Sequence, residues 1–221
     1  MKSCANVAGN SRAAAICALI AFAILVTACS EPLPDYIALQ HGARWEYAAE
    51  VRVGADTLTG RNVFEIAAER ELIGDKSYFK TTETALGFGD QEPVVRYARK
   101  TDKAVIEVDG QMPDQPEYML MPLALELDDE WQMMTAAGDS LACRVEGIEG
   151  VEVPAGRYEE CLKIVCSGLK SMSGHEAPAV VVEYRAPGVG LVQAVTEWGS
   201  VIITLRLLDY DAGHSGATDE S

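Results

Sequence analysis

Histidine is scarce in this 221-residue chain, and the three present, His41, His175 and His214, lie far apart. No Cys-x-x-Cys pair and no His-x-x-x-His spacing occurs, so the usual sequence signs of a zinc site are missing. The acidic triplet Asp128, Asp129 and Glu130 lacks the ligand spacing and glycine of a calcium loop and reads as a solvated turn. Basic residues are also few: 18 Lys and Arg stand against 34 Asp and Glu, for a formal net charge of −16. Nucleic-acid binding depends largely on neutralising phosphates, and a polybasic grip on anionic lipid needs the same side chains. The composition excludes both. Missing too is any long segment with a clean 3.6-residue apolar stripe. The best helical candidate, "MLMPLALELDDEWQMM" at 119–134, is interrupted by Pro122 and reads as loop or a short turn of helix.

What is present begins with the leader. Lys2 and Arg12 precede the apolar run "AAAICALIAFAILVTA", and no acidic residue occurs before Glu31. The run is short, rich in alanine and ends on small residues, which fits an export signal over residues 1–28 better than a membrane span. Its ending, "LVTAC" at 25–29, resembles the lipobox of bacterial lipoproteins. That resemblance implies cleavage between Ala28 and Cys29 and attachment of acyl chains, palmitate among them, to Cys29. Each buried methylene contributes roughly 0.8 kcal/mol, so three chains would hold the protein on a bilayer. In such lipoproteins an aspartate after the cysteine favours inner-membrane retention. Here that residue is Ser30, which implies the outer membrane, with the protein facing the periplasm. Removing Lys2 and Arg12 with the leader leaves 16 basic residues against the same 34 acidic ones, a net charge of −18.

After a tether at 29–35, the dominant period is two. In "RWEYAAEVRV", Trp45, Tyr47, Ala49, Val51 and Val53 share one face while Arg44, Glu46, Glu50 and Arg52 share the other, as in a half-buried antiparallel strand. Nine further runs follow: "RNVFEIAAERE", "GDKSYFKTTET", "VVRYARK", "KAVIEVDG", "LACRVEGIEGVEV", "RYEECLKIVCSG", "AVVVEYRAPG", "GLVQAVTEW" and "SVIITLRLLDY". Alternation without helices requires the sheet to cover its own apolar face. The expectation is an all-β domain over 36–210, a strongly curved antiparallel meander or incomplete barrel with few short helices. The loop "SMSGHEAP" at 171–178 reads as mobile, and 211–221 as a disordered acidic tail.

Export places the cysteines in an oxidising compartment, where the domain has Cys143, Cys161 and Cys166. Cys161 and Cys166 would face opposite sides of one strand, so a disulfide would join Cys143 to Cys161 or to Cys166, with a reduced buried set as the alternative. Lys163 shares the strand face of Cys161, but no histidine is adjacent to activate the thiol. Leu162 and Ile164 take the other face, and Glu159 and Glu160 point apart, so they form no acid pair.

Three stretches resemble a group of uncharacterised bacterial envelope lipoproteins: "YIALQHGARWEY" at 36–47, "VEVPAGRYEECLKI" at 151–164 and "EYRAPGVGLVQ" at 183–193. The matching positions are Leu39, Gly42, Trp45 and Tyr47, then Val153 to Gly156 with Tyr158, then Tyr184 with Gly188 to Leu191. The resemblance implies a β-rich exported domain and no catalytic residue. The curved sheet is similar to the half-barrels of lipoprotein carriers and receptors, which hold acyl chains in an apolar concavity.

One catalytic look-alike stands against this. "GDSL" at 138–141 and "DAGH" at 211–214 match two blocks of a serine esterase family, with Ser140, Asp211 and His214 as the triad. That family's serine lies near the start of an α/β domain, its oxyanion blocks are missing here, and a triad needs a histidine held firmly. The expectation is a non-catalytic protein without cofactor or metal. Its first function is to shelter an apolar or lipid ligand on a concave face lined by Trp45, Val51, Phe64, Ile66, Val182, Tyr184, Ile203 and Leu205. The alternative is docking of an envelope protein partner at a sheet edge.

Overall fold

The computed structural model describes residues 34–108, 116–134, 138–172 and 175–213. The leader, the site at Ala28 and Cys29, and tail residues 214–221 lie outside them. The described residues form twelve strands and no helix: β1 (Arg44–Val53), β2 (Asp56–Ile73), β3 (Lys76–Leu86), β4 (Val94–Lys100), β5 (Ala104–Val108), β6 (Tyr118–Pro122), β7 (Glu130–Met134), β8 (Ser140–Val153), β9 (Gly156–Met172), β10 (His175–Ala186), β11 (Gly190–Trp198) and β12 (Val201–Asp211). They make one antiparallel sheet of order β6-β5-β4-β3-β2-β1-β12-β11-β10-β9-β8-β7, an all-β, nearly closed barrel.

Each strand pairs with its chain neighbour, and β1 pairs with β12 from Arg44 opposite Asp211 to Val53 opposite Val201. The first and last strands are therefore zipped together, and the break falls between β6 and β7. There the Trp131 indole N–H donates to the Leu120 carbonyl at 3.0 Å. These two strands come from the segment whose Met, Leu and Glu content favours helix. Pro122 and a turn at Asp128, whose φ is +72°, divide it into two short edge strands. The stretch read as a mobile loop at 171–178 is mostly strand. Pro178 sits opposite Leu169, the Ser171 N–H donates to Asp139 Oδ1 and the Trp198 indole donates to the Lys170 carbonyl.

Residues opposite one another in the ladder share a face, so the register sorts wall from lumen. One inward row runs Leu58, Val51, Ile203, Thr196, Val181, Cys166, Cys143, Trp131 across β2, β1, β12, β11, β10, β9, β8 and β7. Another runs Trp45, Phe64, Glu83, Val94. Inside, one buried cluster gathers Trp45, Tyr47, Ile66, Phe79 and Leu207, and a second gathers Met121, Trp131, Leu141, Val145, Ile164 and Cys166. Ion pairs such as Arg44 and Arg61 with Glu46 dress the outer face, where each contributes about 0–1 kcal/mol.

The barrel's two ends differ. At the end where β1 starts, residues 34–43 cross as a strap. At the other, inward-facing Leu58, Val53 and Val94 are 58%, 46% and 45% exposed. Side chains on the lumen face can be that exposed only where the lumen opens to solvent, so this end is the mouth.

Candidate functional site

The closed end is assembled from the three stretches that stood out in the sequence. A register shift between Ile66 and Arg70 interrupts the β2–β3 ladder and frees the Ala67 carbonyl for the Gly42 N–H and the Ala68 carbonyl for the His41 ring. The strap is thereby fixed to β2. From β1, the Trp45 indole donates to the Val189 carbonyl at 2.7 Å and the Tyr47 hydroxyl to the Leu191 carbonyl at 3.0 Å. Tyr210, stacked on Trp45, donates to the Gly188 carbonyl, and the Gly188 N–H returns to the Asp35 carbonyl. Gly190 has a φ of +85°, and a Cβ there would lie 3.6 Å from the Ala38 nitrogen. Glycine permits this conformation, while the strap itself would leave a Cβ only in ordinary contact.

The third stretch reaches the same place from β8 and β9. Register shifts around Glu146 and Gly150, with Glu160 at a φ of +56°, break the alternation expected there. The hairpin end curls until the Ala155 N–H donates to the Leu207 carbonyl. Cys161 keeps Lys163's side of the strand yet is fully buried among Val151, Val153, Val192 and Leu207, and burial pushes its thiol up from the ordinary range. Lys163 pairs instead with Glu146 and Glu149. Burial likewise pushes the Tyr47 phenol up. The three motifs are thus a closure, held by side-chain donors on backbone carbonyls.

Above the closure lies a cavity of about 330 Å³ to which every strand except β8 contributes. Trp45, Phe64, Ile66 and Leu205 line one side, and Met121, Trp131 and Ile164 the other. Glu83, Glu107, Glu183 and Arg185 also face it. Glu83 accepts from Asn62 Nδ2 at 2.8 Å and pairs with Arg96 at 3.1 Å, and Arg96 reaches Glu107 at 3.9 Å. Across the lumen, Arg185 Nε donates to Glu183 Oε2 at 2.8 Å. Both seam strands line the cavity, through Leu120 and Trp131, so the indole bond across the seam is part of its wall.

Of the eight residues expected on the concave face, Trp45, Phe64, Ile66 and Leu205 line this cavity. Val51 and Ile203 face the lumen nearer the mouth. Val182 and Tyr184 fall on the opposite face: their ladder partners are Val165 and Lys163, while the lumen is served by Val181 and Glu183 opposite Cys166 and Ile164. The run "VVVEYR" was read with its apolar members inward, but the register turns Glu183 and Arg185 in. Sequence reading also passed over Glu83 and Glu107. Their inward parity in "TTET" and "VIEV" was the available signal. Cys143 faces Cys166 across β8 and β9 and is disulfide-bonded to it, leaving Cys161 free.

The esterase-like blocks do not converge. Ser140 begins β8 at the mouth end, where its hydroxyl meets Gln132, while Asp211 ends β12 beside the closure and His214 lies outside the described residues. Among the described residues no three metal-ligating side chains come together. In the acidic turn, Asp128 pairs with Arg144 and Asp129 Oδ2 accepts from the Glu126 N–H.

No family model and no curated protein matches this chain. Solved structures do resemble it. A protein assigned as exported, with a YmcC-like fold, from Bacteroides fragilis superposes with a TM-score of 0.51 at 10% identity, over 81% of this chain and 98% of its own. A protein assigned as a lipoprotein from Parabacteroides distasonis gives 0.50 at 11% identity, over 82% of this chain and 100% of its own. At such identities the likeness is one of fold. The class that fold and cavity define is a nearly closed antiparallel barrel with one plugged end and a partly apolar lumen.

Proposed function

We propose that this protein is a lipid-anchored protein of the bacterial envelope that shelters an apolar or amphipathic ligand in its barrel and performs no catalysis. The observation that carries the reading is the cavity. Its roughly 330 Å³ falls within the ~300–1,000 Å³ usual for small-molecule sites, and its lining of apolar and aromatic side chains with a few placed polar groups is the usual composition. A mouth at which apolar side chains stay exposed supports entry of such a ligand. Partner docking at a sheet edge has less support, because the edges β6 and β7 are turned toward each other.

The lipobox at Cys29 and the residue Ser30 support anchoring in an outer membrane facing the periplasm. Native mass spectrometry of protein extracted from membranes tests the ligand: a lipid-sized adduct near one per chain is expected, and adduct-free protein with a stoichiometric protein partner would overturn the reading. Cys29→Ser should release the protein from membranes, and unchanged retention would contradict the anchor.

A further inference from the structure

We infer that the lumen selects amphiphiles whose head group is a hydrogen-bond donor and not an anion, a hydroxylated or ammonium head on an apolar chain. The inference rests on the reading of the cavity as a ligand site and names the chemistry of what enters it. Among the described residues, three carboxylates, Glu83, Glu107 and Glu183, line the cavity, and Arg185 is the basic side chain that lines it directly. Arg96 adds a second guanidinium at this wall, where it bridges Glu83 and Glu107.

Acceptor capacity decides what such a set can take. An ionised carboxylate offers about four lone-pair sites. The bonds at Glu83 come from Asn62 and Arg96, and the one at Glu183 comes from Arg185, so both retain sites for a ligand's O–H or N–H donors. Thr81, the neutral hydroxyl on this wall, donates to the Arg96 carbonyl. An incoming carboxylate or phosphate could reach Arg185 only while lying beside Glu183, which the same guanidinium already holds through Nε, and could reach Arg96 only beside Glu83 and Glu107. Its attraction to a guanidinium is therefore offset by repulsion from the carboxylate that the guanidinium holds, whereas a hydroxylated or ammonium head meets the open acceptor sites of Glu83 and Glu183 directly. The apolar side formed by Phe64, Ile66 and Leu205 takes the chain.

The test compares three amphiphiles of one chain length, dodecylammonium, dodecyl glucoside and dodecanoate, each displacing a fluorescent apolar probe from the mature chain carrying Cys29→Ser. Dodecylammonium or dodecyl glucoside should bind at least ~10-fold more tightly than dodecanoate. The ratio between those two tells an ammonium head from a hydroxylated one. In Glu83→Gln/Glu183→Gln, which keeps side-chain shape, dodecanoate should gain and dodecylammonium lose. Dodecanoate binding as tightly as the others in the unmutated chain would overturn the head-group inference and leave the cavity reading standing. Failure of all three to displace the probe would overturn both.

Discussion

At the closed end, Trp45, Tyr47 and Tyr210 place their donors on carbonyls of the β10–β11 turn, and Leu207 and Val192 are wholly buried. At the mouth, Leu58, Val53 and Val94 lie on the lumen face and still meet solvent. Between them, the lumen holds acids and guanidiniums that pair with one another. A barrel that needed only to fold would have filled its mouth as it filled its base. The contrast separates residues that stabilise the fold from residues that leave room in it, and it makes the two ends respond differently to substitution.

The largest expected effect lies at the base. Trp45→Ala removes a buried indole and its bond to Val189 and should cost about 3–5 kcal/mol in urea unfolding. Leu58→Ala at the mouth should stay within about 0.5 kcal/mol. Equal losses would erase the distinction between the ends. Next comes the half of the barrel nearer the seam, where the disulfide joins the neighbouring strands β8 and β9 through cysteines 23 residues apart in sequence. Cys143→Ala/Cys166→Ala should cost about 2–4 kcal/mol in the same experiment. Smaller again is Gly190→Ala, which forces alanine into a positive φ against the strap and should cost about 1–2 kcal/mol. Alanine at Gly147, in β8 without a positive φ, should cost nothing measurable.

The smallest effect belongs to the outer wall. Burial pushes the Glu117 carboxyl up, but hydrogen bonds from Tyr78, Arg99 and Lys76 outweigh it and hold it at about 2. Its folded value lies below its unfolded one, so its contribution is complete above about pH 4.5 and is lost as pH falls toward 2. Glu117→Gln should flatten the decline of the thermal midpoint within that window and leave the base and mouth unchanged. An unaltered pH profile would show that the cluster contributes nothing.

The fold was legible wherever polar and apolar residues alternate over a long run, as in "RWEYAAEVRV". It was illegible in β6 and β7, because five-residue edge strands present little period and Met, Leu and Glu carry helical preference. The motifs were legible as motifs, but their common purpose was not: Trp45 reaches Val189 and Ala155 reaches Leu207 at an end shaped by register shifts that no local pattern announces. Four of the eight residues expected on the concave face, Trp45, Phe64, Ile66 and Leu205, line the cavity, and Val51 and Ile203 face the lumen nearer the mouth. Val182 and Tyr184 face the other way, because the register turns Glu183 and Arg185 in. A strand that carries acids into a lumen looks, in sequence, like a strand that carries them into solvent.

The central claim, that the lumen is the binding site, is tested most directly by tryptophan fluorescence. Trp45 and Trp131 line the cavity, whereas Trp198 lies off it, its indole bonded to Lys170. The mature chain with Cys29→Ser and Trp198→Phe, titrated with an amphiphile brominated along its chain, should show saturable quenching. Filling the cavity with Ala98→Phe should abolish that quenching. Quenching that is absent, or that persists unchanged in the filled variant, would contradict the account.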